Sequence, residues 1–194
     1  LRDRVILILL YDTAVRISEL LNIRLGDIAL NTKYPSIFIT GKGNKERTIQ
    51  LTDKATEHLK EYLRVYHKNQ SSDNYLFSTT IKGHTDRMSV ANVQRVIKKY
   101  SAIVRDSGID LPKSVHCHMF RRTRATNLYQ DGVAIELVST VLGHARTDTT
   151  KSYYAKPSVE QLRAAMESVP TPVESESPLW VSNEDEMARM CGLR

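Results

Sequence analysis

The sequence predicts a mainly α-helical fold with a small antiparallel β-sheet, of the α+β class. Apolar residues recur every three or four positions along most of the 194-residue chain, as they do on one face of a helix. This period is interrupted by two short β-prone runs on either side of a glycine-rich loop. The length suits one main domain, because single domains commonly have roughly 100–200 residues.

The first part of the chain is predicted as two helices and a β-hairpin. Apolar residues at helical spacing on both sides of Asp12 and Thr13 indicate one helix before this pair and one after it. Residues 36–40 and 47–51 are β-prone, and the loop between them reads Gly-Lys-Gly-Asn-Lys-Glu. We therefore expect an antiparallel hairpin with a basic loop.

The rest of the chain is predicted to be helical, with recognisable helix ends. Asp53 is expected to cap a helix over 54–67, and Ser89 a helix over 90–107. Further helices are predicted over 118–131, over 134–142 with Gly143 as its end, over 149–154, and over 159–169 behind a capping box of Ser158 and Gln161.

The predicted domain covers residues 1–169, and residues 170–194 form a proline-bearing linker and an acidic tail. Five acidic residues and two arginines lie in 174–194, so the net charge of +6 leaves residues 1–173 with +9. Such an excess points toward phosphate-bearing polymers. Because the chain begins within a helical pattern, we expect a fragment whose partner domain is absent.

Location is predicted from the cysteines and from the first residues. Cys117 and Cys191 lie too far apart in sequence for a metal knuckle or a redox pair, which favours a reducing cytoplasm. Because charged residues stand among the first four, no signal peptide is expected. No apolar run approaches the ~20 residues that cross a bilayer, so no membrane is expected.

Six side chains are candidates for chemistry on a phosphate. They are Arg16 in Arg-Ile-Ser-Glu-Leu, Lys42 in Gly-Lys-Gly-Asn-Lys-Glu-Arg, His118 and Arg121 in His-Met-Phe-Arg, His144 in Leu-Gly-His, and Tyr153 in Ser-Tyr-Tyr-Ala. Each also has an ordinary structural interpretation when taken alone. For example, Arg16 can pair with Glu19 on a solvated helix face, and Tyr153 can pack.

Cleavage of a phosphodiester without a metal requires groups of these types. Negative charge grows on the nonbridging oxygens in the transition state, so fixed cations must surround the phosphate. Arginine is suited to this because its guanidinium forms two parallel hydrogen bonds and stays charged. A nucleophile and a proton donor for the leaving oxygen complete the set.

In this order and at these intervals, the motifs resemble the tyrosine recombinases of the phage integrase and Xer type, over about residues 1–169. The resemblance implies the catalytic-domain fold of that family. It also implies site-specific DNA recombination through a 3′-phosphotyrosine intermediate, without metal, ATP or another cofactor, in the integration or excision of a phage or mobile element. A chromosome-dimer resolvase stays open as the parent.

The resemblance assigns a role to each candidate. Arg16 and Arg121 would clamp the scissile phosphate, with hydrogen bonds added by His118 and His144. Lys42 would protonate the leaving 5′ oxygen, and Tyr153 would attack phosphorus. Tyr154 is the alternative nucleophile, and the spacing from Leu-Gly-His favours Tyr153. Glu19 is expected to orient Arg16.

Four further basic residues are expected to contact DNA: Lys45, Arg47, Arg122 and Arg124. Lys45 and Arg47 on the hairpin are interpreted either as contacts to the DNA backbone or as structural groups. Arg122 stands where many relatives have histidine, and it too is either a DNA contact or structural.

The expected partners are double-stranded DNA and three further copies of the chain, in a homotetramer on paired sites. Family members usually carry an N-terminal DNA-clamping domain, which we expect this chain to lack. Residues 159–169, or the acidic segment around Trp180, are hypothesised to reach a neighbouring protomer. A bacterial or phage protein associated with the nucleoid is expected.

Three other functions are alternatives to recombination. One is a relaxing enzyme similar to type IB topoisomerases, and another is a DNA-binding regulator that no longer cuts. The third is a metal-dependent nuclease, for which His116, Cys117 and His118 are the nearest ligand cluster. A metal site needs three or four converging ligands, so no metal is expected.

Overall fold

The computed structural model describes residues 1–41 and 43–143, together with the single positions Val159, Arg163 and Arg189. The chain divides into two compact units, Leu1–Lys156 and Pro157–Arg194, and the residues described up to 143 belong to the first. The helix predicted over 149–154, most of the one over 159–169, and the linker and tail lie outside the described residues. The predicted boundary after residue 169 therefore stays a prediction.

Six α-helices carry most of the described structure, as the sequence predicts. They are α1 (Arg2–Asp12), α2 (Ile17–Asn22), α3 (Asp53–Tyr66), α4 (Val90–Asp106), α5 (Cys117–Gln130) and α6 (Ile135–Leu142). The two helices expected on either side of Asp12 and Thr13 are present, separated by a short buried connection. Gly143 ends α6 in the left-handed conformation, with φ of 64°.

The small antiparallel sheet contains the predicted hairpin. Strands β2 (Ser36–Thr40) and β3 (Glu46–Gln50) pair antiparallel, and the two-residue strand β1 (Ile28–Ala29) pairs with β2. The structure also contains a separate hairpin of β4 (Ser78–Ile81) and β5 (His84–Arg87), which the sequence did not predict. All four residues of β5 are polar and exposed, so its sequence lacks the apolar alternation of a half-buried strand.

The cap of α3 corrects one prediction. Thr52 is the N-cap, and its side-chain oxygen accepts a hydrogen bond from the backbone N–H of Ala55 at 3.3 Å. Asp53 is the first helical residue, where its carboxylate faces the positive end of the helix dipole. The prediction of Asp53 as N-cap was therefore wrong by one residue. The predicted cap of α4 is confirmed, because the Ser89 side chain accepts from Asn92 N–H.

Helix α1 lies at the centre of the main core. Val5, Ile6, Leu9 and Leu10 are at most 1% exposed, and the helix packs against α3, α4 and α5. A second, smaller cluster holds α5 and α6 against the connection between α1 and α2. Its buried members are Ala14, Ala125, Val138 and Leu142. This cluster brings the Arg-Ile-Ser-Glu-Leu motif, the His-Met-Phe-Arg motif and the Leu142–Gly143 pair to one region of the fold.

Among the described residues, no helix is both long enough and apolar enough to cross a bilayer.

The cap of α3 can be tested by substitution of Thr52. Thr52→Ala is expected to lower the free energy of unfolding by about 1 kcal/mol, because the Ala55 N–H loses its side-chain acceptor. Thr52→Ser keeps the acceptor and serves as the control, with a much smaller loss. Denaturant unfolding of both variants measures the difference, and equal losses would show that the hydroxyl does not cap the helix.

Candidate active site

Arg121 is a buried cation that joins three parts of the fold. It lies on α5 with 1% of its surface exposed. Its Nη1 donates to the carbonyl oxygen of Ala14 at 2.7 Å, and its Nη2 donates to that of Leu142 at 2.6 Å. One guanidinium therefore ties α5 both to the segment that leads into Arg16 and to the last residue of α6.

The buried guanidinium of Arg121 is stabilised by carbonyl oxygens that accept hydrogen bonds from its N–H groups. A charged group without partners in an apolar setting costs many kcal/mol, whereas hydrogen bonds from a charged donor are stronger than neutral ones. Ala14 and Leu142, whose carbonyls accept these bonds, are themselves 0% exposed. Arg121 is therefore a structural part of the second core cluster as well as a candidate for phosphate binding.

Ala14 adopts an unusual backbone conformation beside this arginine. Its φ is 50°, in the left-handed region that is uncommon for residues other than glycine. This conformation costs roughly 1–2 kcal/mol for an L-residue. The hydrogen bond from Arg121 to the Ala14 carbonyl and the packing of its methyl group in the second core cluster hold the turn in place.

Arg16 stands at the N-terminus of α2 and is held by Glu19. Its Nη1 donates to Glu19 Oε1 at 2.9 Å, and its backbone N–H donates to Glu19 Oε2 at 2.9 Å. The Arg16 side chain is 41% exposed, whereas that of Glu19 is 4% exposed. This geometry agrees with the interpretation of Glu19 as the residue that orients Arg16.

Glu19 also binds Arg47, which comes from strand β3. Arg47 Nη2 lies 2.8 Å from Glu19 Oε2, and Arg47 Nη1 lies 3.4 Å from Oε1. Burial by itself raises the pKa of the Glu19 carboxyl, but the hydrogen bonds from Arg47 and Arg16 and the charge of Arg47 outweigh it, so the pKa is lowered. Glu19 therefore stays ionised between two arginines.

Two glycines let the chain pass close to this cluster. A Cβ atom on Gly143 would lie 2.8 Å from Arg47 Cζ, and one on Gly41 would lie 3.1 Å from Glu19 Oε1. The first distance is shorter than side chains tolerate. The hairpin and the end of α6 thus both approach the Glu19–Arg47 pair, and Lys42 and His144 each follow one of these glycines in sequence.

His118 is near both Arg16 and Arg121. It is the second residue of α5, and the residue as a whole is exposed. Partial burial of its ring lowers its pKa most, and the charges of Arg121, His116, Arg16 and Arg122 lower it further. The lowered pKa favours the neutral imidazole, in which one nitrogen is a donor and the other an acceptor.

The structure brings Arg16, His118 and Arg121 together, and the other three candidates lie outside the described residues. These three are Lys42, His144 and Tyr153, and the alternative nucleophile Tyr154 is also outside. The roles assigned to all six stay predictions. Arg16 and Arg121 belong to one region of the fold, as any shared phosphate site requires.

The four predicted DNA contacts differ in their surroundings. Lys45 and Arg122 are exposed. Arg47 and Arg124 are mostly buried, with side chains 15% and 22% exposed. Arg124 Nη2 lies 3.8 Å from an Asp12 oxygen, and its guanidinium lies 5.4 Å from the centre of the Tyr11 ring. The four DNA contacts stay predictions.

Sequence reasoning did not anticipate the Glu19–Arg47 pair or the role of the two glycines beside it. In the sequence alone, the glycine pattern of the hairpin loop indicates only a turn. The available signal was the strict alternation of β3, which places Arg47 on the same face as the buried Ile49. A basic residue on an inward face needs an acidic partner, and Glu19 is the buried carboxylate in this region.

In the described part of the chain, no three His, Cys, Asp or Glu side chains converge as metal ligands would. Burial raises the pKa of the Cys117 thiol, which disfavours the thiolate that binds metals.

The model of the phage integrase family matches residues 1–161. The chain belongs to the phage integrase family. Among curated relatives, a tyrosine recombinase of Pseudothermotoga lettingae is 37% identical over 152 residues, which are 78% of this chain and 49% of that protein. Tyrosine recombinase XerC of Staphylococcus carnosus is 38% identical over 165 residues, 84% of this chain and 52% of that protein.

Solved integrase-family structures share the fold. The XerH site-specific recombinase bound to palindromic difH substrate matches with a TM-score of 0.67 and 28% identity, covering 86% of this chain and 45% of that one. The predicted α+β catalytic-domain fold is thereby confirmed. This chain spans about half the length of the curated relatives it matches.

The proximity of the Arg16 and His118 side chains can be tested by NMR titration of the His118 ring. Arg16→Met is expected to raise the His118 pKa, because a nearby positive charge no longer opposes protonation. Arg64→Met removes an equal charge from an exposed position on α3 and is the control. A His118 titration that is the same in both variants and in the wild type would contradict the geometry.

Proposed function

We propose that this chain is the catalytic part of a site-specific DNA recombinase, which cleaves and rejoins double-stranded DNA through a 3′-phosphotyrosine at Tyr153. The observation that carries the proposal is the position of Arg121. This buried arginine ties together the segment before Arg16 and the end of α6 before His144, with His118 beside it. Membership of the phage integrase family and the DNA-bound XerH neighbour support the proposal.

In the proposed reaction, Arg16 and Arg121 bind the nonbridging oxygens of the scissile phosphate. The Tyr153 oxygen attacks phosphorus, the bond from phosphorus to the 5′ oxygen breaks, and Lys42 gives that oxygen a proton. The tyrosine proton passes to a base within the site. His118, neutral in this environment, donates a hydrogen bond to a phosphate oxygen, and His144 is proposed to do the same.

The covalent intermediate explains how a broken strand is resealed without ATP. A phosphodiester is exchanged for a phosphotyrosine ester, so the bond energy is retained until a 5′ hydroxyl attacks it. If that hydroxyl comes from another DNA duplex, strands are exchanged. Exclusion of water is needed, because hydrolysis would leave the strand cut.

Further proposals concern the domain bounds, the oligomeric state and the biological role of the chain. We propose that residues 1–169 form the catalytic domain, with 170–194 as linker and acidic tail, and that four copies assemble on paired DNA sites. Integration or excision of a phage or mobile element, at the nucleoid of a bacterial cell, is the proposed setting. Lys45 and Arg122, both exposed, are proposed to contact the DNA backbone.

The nucleophile can be identified with a nicked DNA substrate that traps the covalent intermediate. The wild-type chain is expected to form a protein–DNA adduct in the presence of a chelator. Tyr153→Phe is expected to abolish the adduct, because phenylalanine has no nucleophilic oxygen. Tyr154→Phe is the matched control and is expected to retain it. Low salt is used, because salt weakens the binding of basic residues to DNA phosphates.

Each other outcome contradicts a specific part of the proposal. Loss of the adduct in Tyr154→Phe but not in Tyr153→Phe would assign the nucleophile to Tyr154. Cleavage that needs a divalent metal and releases free ends would indicate a nuclease. Relaxation of supercoiled DNA without strand exchange between two sites would indicate a topoisomerase-like enzyme.

A further inference from the structure

Arg47 belongs to the hairpin that contains Lys42, and its side chain contacts α2, the helix that begins directly after Arg16. It is on β3, where Ile39 of β2 is its partner in the sheet. Its two terminal nitrogens both bind the carboxylate of Glu19, one to each oxygen. A planar guanidinium that meets both oxygens of a carboxylate fixes the orientation of that carboxylate, which a single contact does not.

The same carboxylate holds Arg16. Glu19 Oε1 accepts from Arg16 Nη1 and Glu19 Oε2 accepts from the Arg16 backbone, each at 2.9 Å. The orientation imposed by Arg47 is therefore transmitted to the side chain and the backbone of Arg16. A shift of the carboxylate would move both contacts together.

The charges of the cluster lead to the same conclusion. With Arg47 present, two guanidinium groups share one carboxylate, and the cluster keeps a net positive charge. Without Arg47, the buried negative charge of Glu19 would neutralise Arg16 and weaken its attraction for a phosphate. Arg47 thus both aims Arg16 and preserves its charge.

Arg47 is also enclosed by the residue that ends α6. Its guanidinium lies against Gly143, where even a Cβ atom would be 2.8 Å from Cζ. Gly143 has φ of 64°, so the close approach occurs at a turn that favours glycine. Its Nε is buried and has no hydrogen-bond partner among the described residues. Arg47 uses two of its five N–H groups on Glu19, and its side chain is only 15% exposed, so it offers little surface to a DNA phosphate.

From this geometry we infer that Arg47, which lies against Gly143, is a positioning residue of the active site that holds Glu19 and, through it, the phosphate-binding Arg16. The inference rests on the proposed function, because it assigns Arg16 to the scissile phosphate. It replaces the DNA-backbone role as the interpretation of Arg47.

The test compares Arg47→Met, Arg47→Lys and the control Thr48→Met on the nicked DNA substrate. Thr48 is the next residue on β3, exposed on the opposite face. At saturating DNA, Arg47→Met is expected to slow adduct formation roughly a hundredfold, as small misplacements of reacting groups do. Arg47→Lys is expected to recover part of the rate, because it restores charge without the two-pronged contact. Thr48→Met is expected to match the wild type.

Two further readouts separate positioning from DNA contact. The salt dependence of DNA binding is expected to be unchanged in Arg47→Met, whereas loss of a phosphate contact would reduce the slope by about 1. The acidic limb of the pH–rate profile is expected to move to higher pH in Arg47→Met, because loss of Arg47 raises the pKa of Glu19.

A double-mutant cycle with Glu19→Gln completes the test. If Arg47 acts through Glu19, Arg47→Met has little further effect on the rate in the Glu19→Gln background. Fully additive effects, or a normal rate at saturating DNA with a reduced salt slope, would overturn the inference. Thermal unfolding checks that each variant is folded. If Arg47→Met does not fold, Arg47→Lys takes its place in the cycle. Absence of an adduct with the wild-type chain would instead reject the proposed function.

Discussion

A guanidinium that is almost wholly removed from water must find acceptors, and Arg121 finds them in two carbonyls distant in sequence. Ala14 and Leu142 are separated by most of the chain, yet both carbonyls lie within 2.7 Å of one side chain. The cost of leaving a buried charge unpaired thus enforces the approach of α2, α5 and the end of α6. The position of Arg16 and the strained turn at Ala14 both depend on this contact.

A second ionic cluster is built around Glu19, and the two differ in their exposure to solvent. Arg121 is enclosed, whereas Arg16 is 41% exposed and is held from behind by the buried Glu19. Arg121 is thereby fixed as part of the core through two of its five N–H groups, and Arg16 is fixed at the surface. Such preorganisation is what stabilises a transition state whose charge grows on phosphate oxygens.

Much of the fold follows from local patterns, and much of the site does not. Apolar periodicity and turn residues predict the helices and the β2–β3 hairpin. The β4–β5 hairpin has one apolar residue, the exposed Ile81, so it lacks the alternation that predicts a strand. The motifs identify Arg16, His118 and Arg121. The Glu19–Arg47 pair depends on the register of β3 against β2 and on glycines that admit a close approach, both of which are properties of the folded chain.

The central claim is that residues far apart in sequence converge on one phosphate. A crystal structure of the chain bound to a DNA duplex containing its cleavage site measures this directly. The account predicts that the guanidinium groups of Arg16 and Arg121 both lie about 3 Å from oxygens of the same phosphate, the distance of a hydrogen bond. Binding of the two arginines to different phosphates, or of only one of them to DNA, would contradict it.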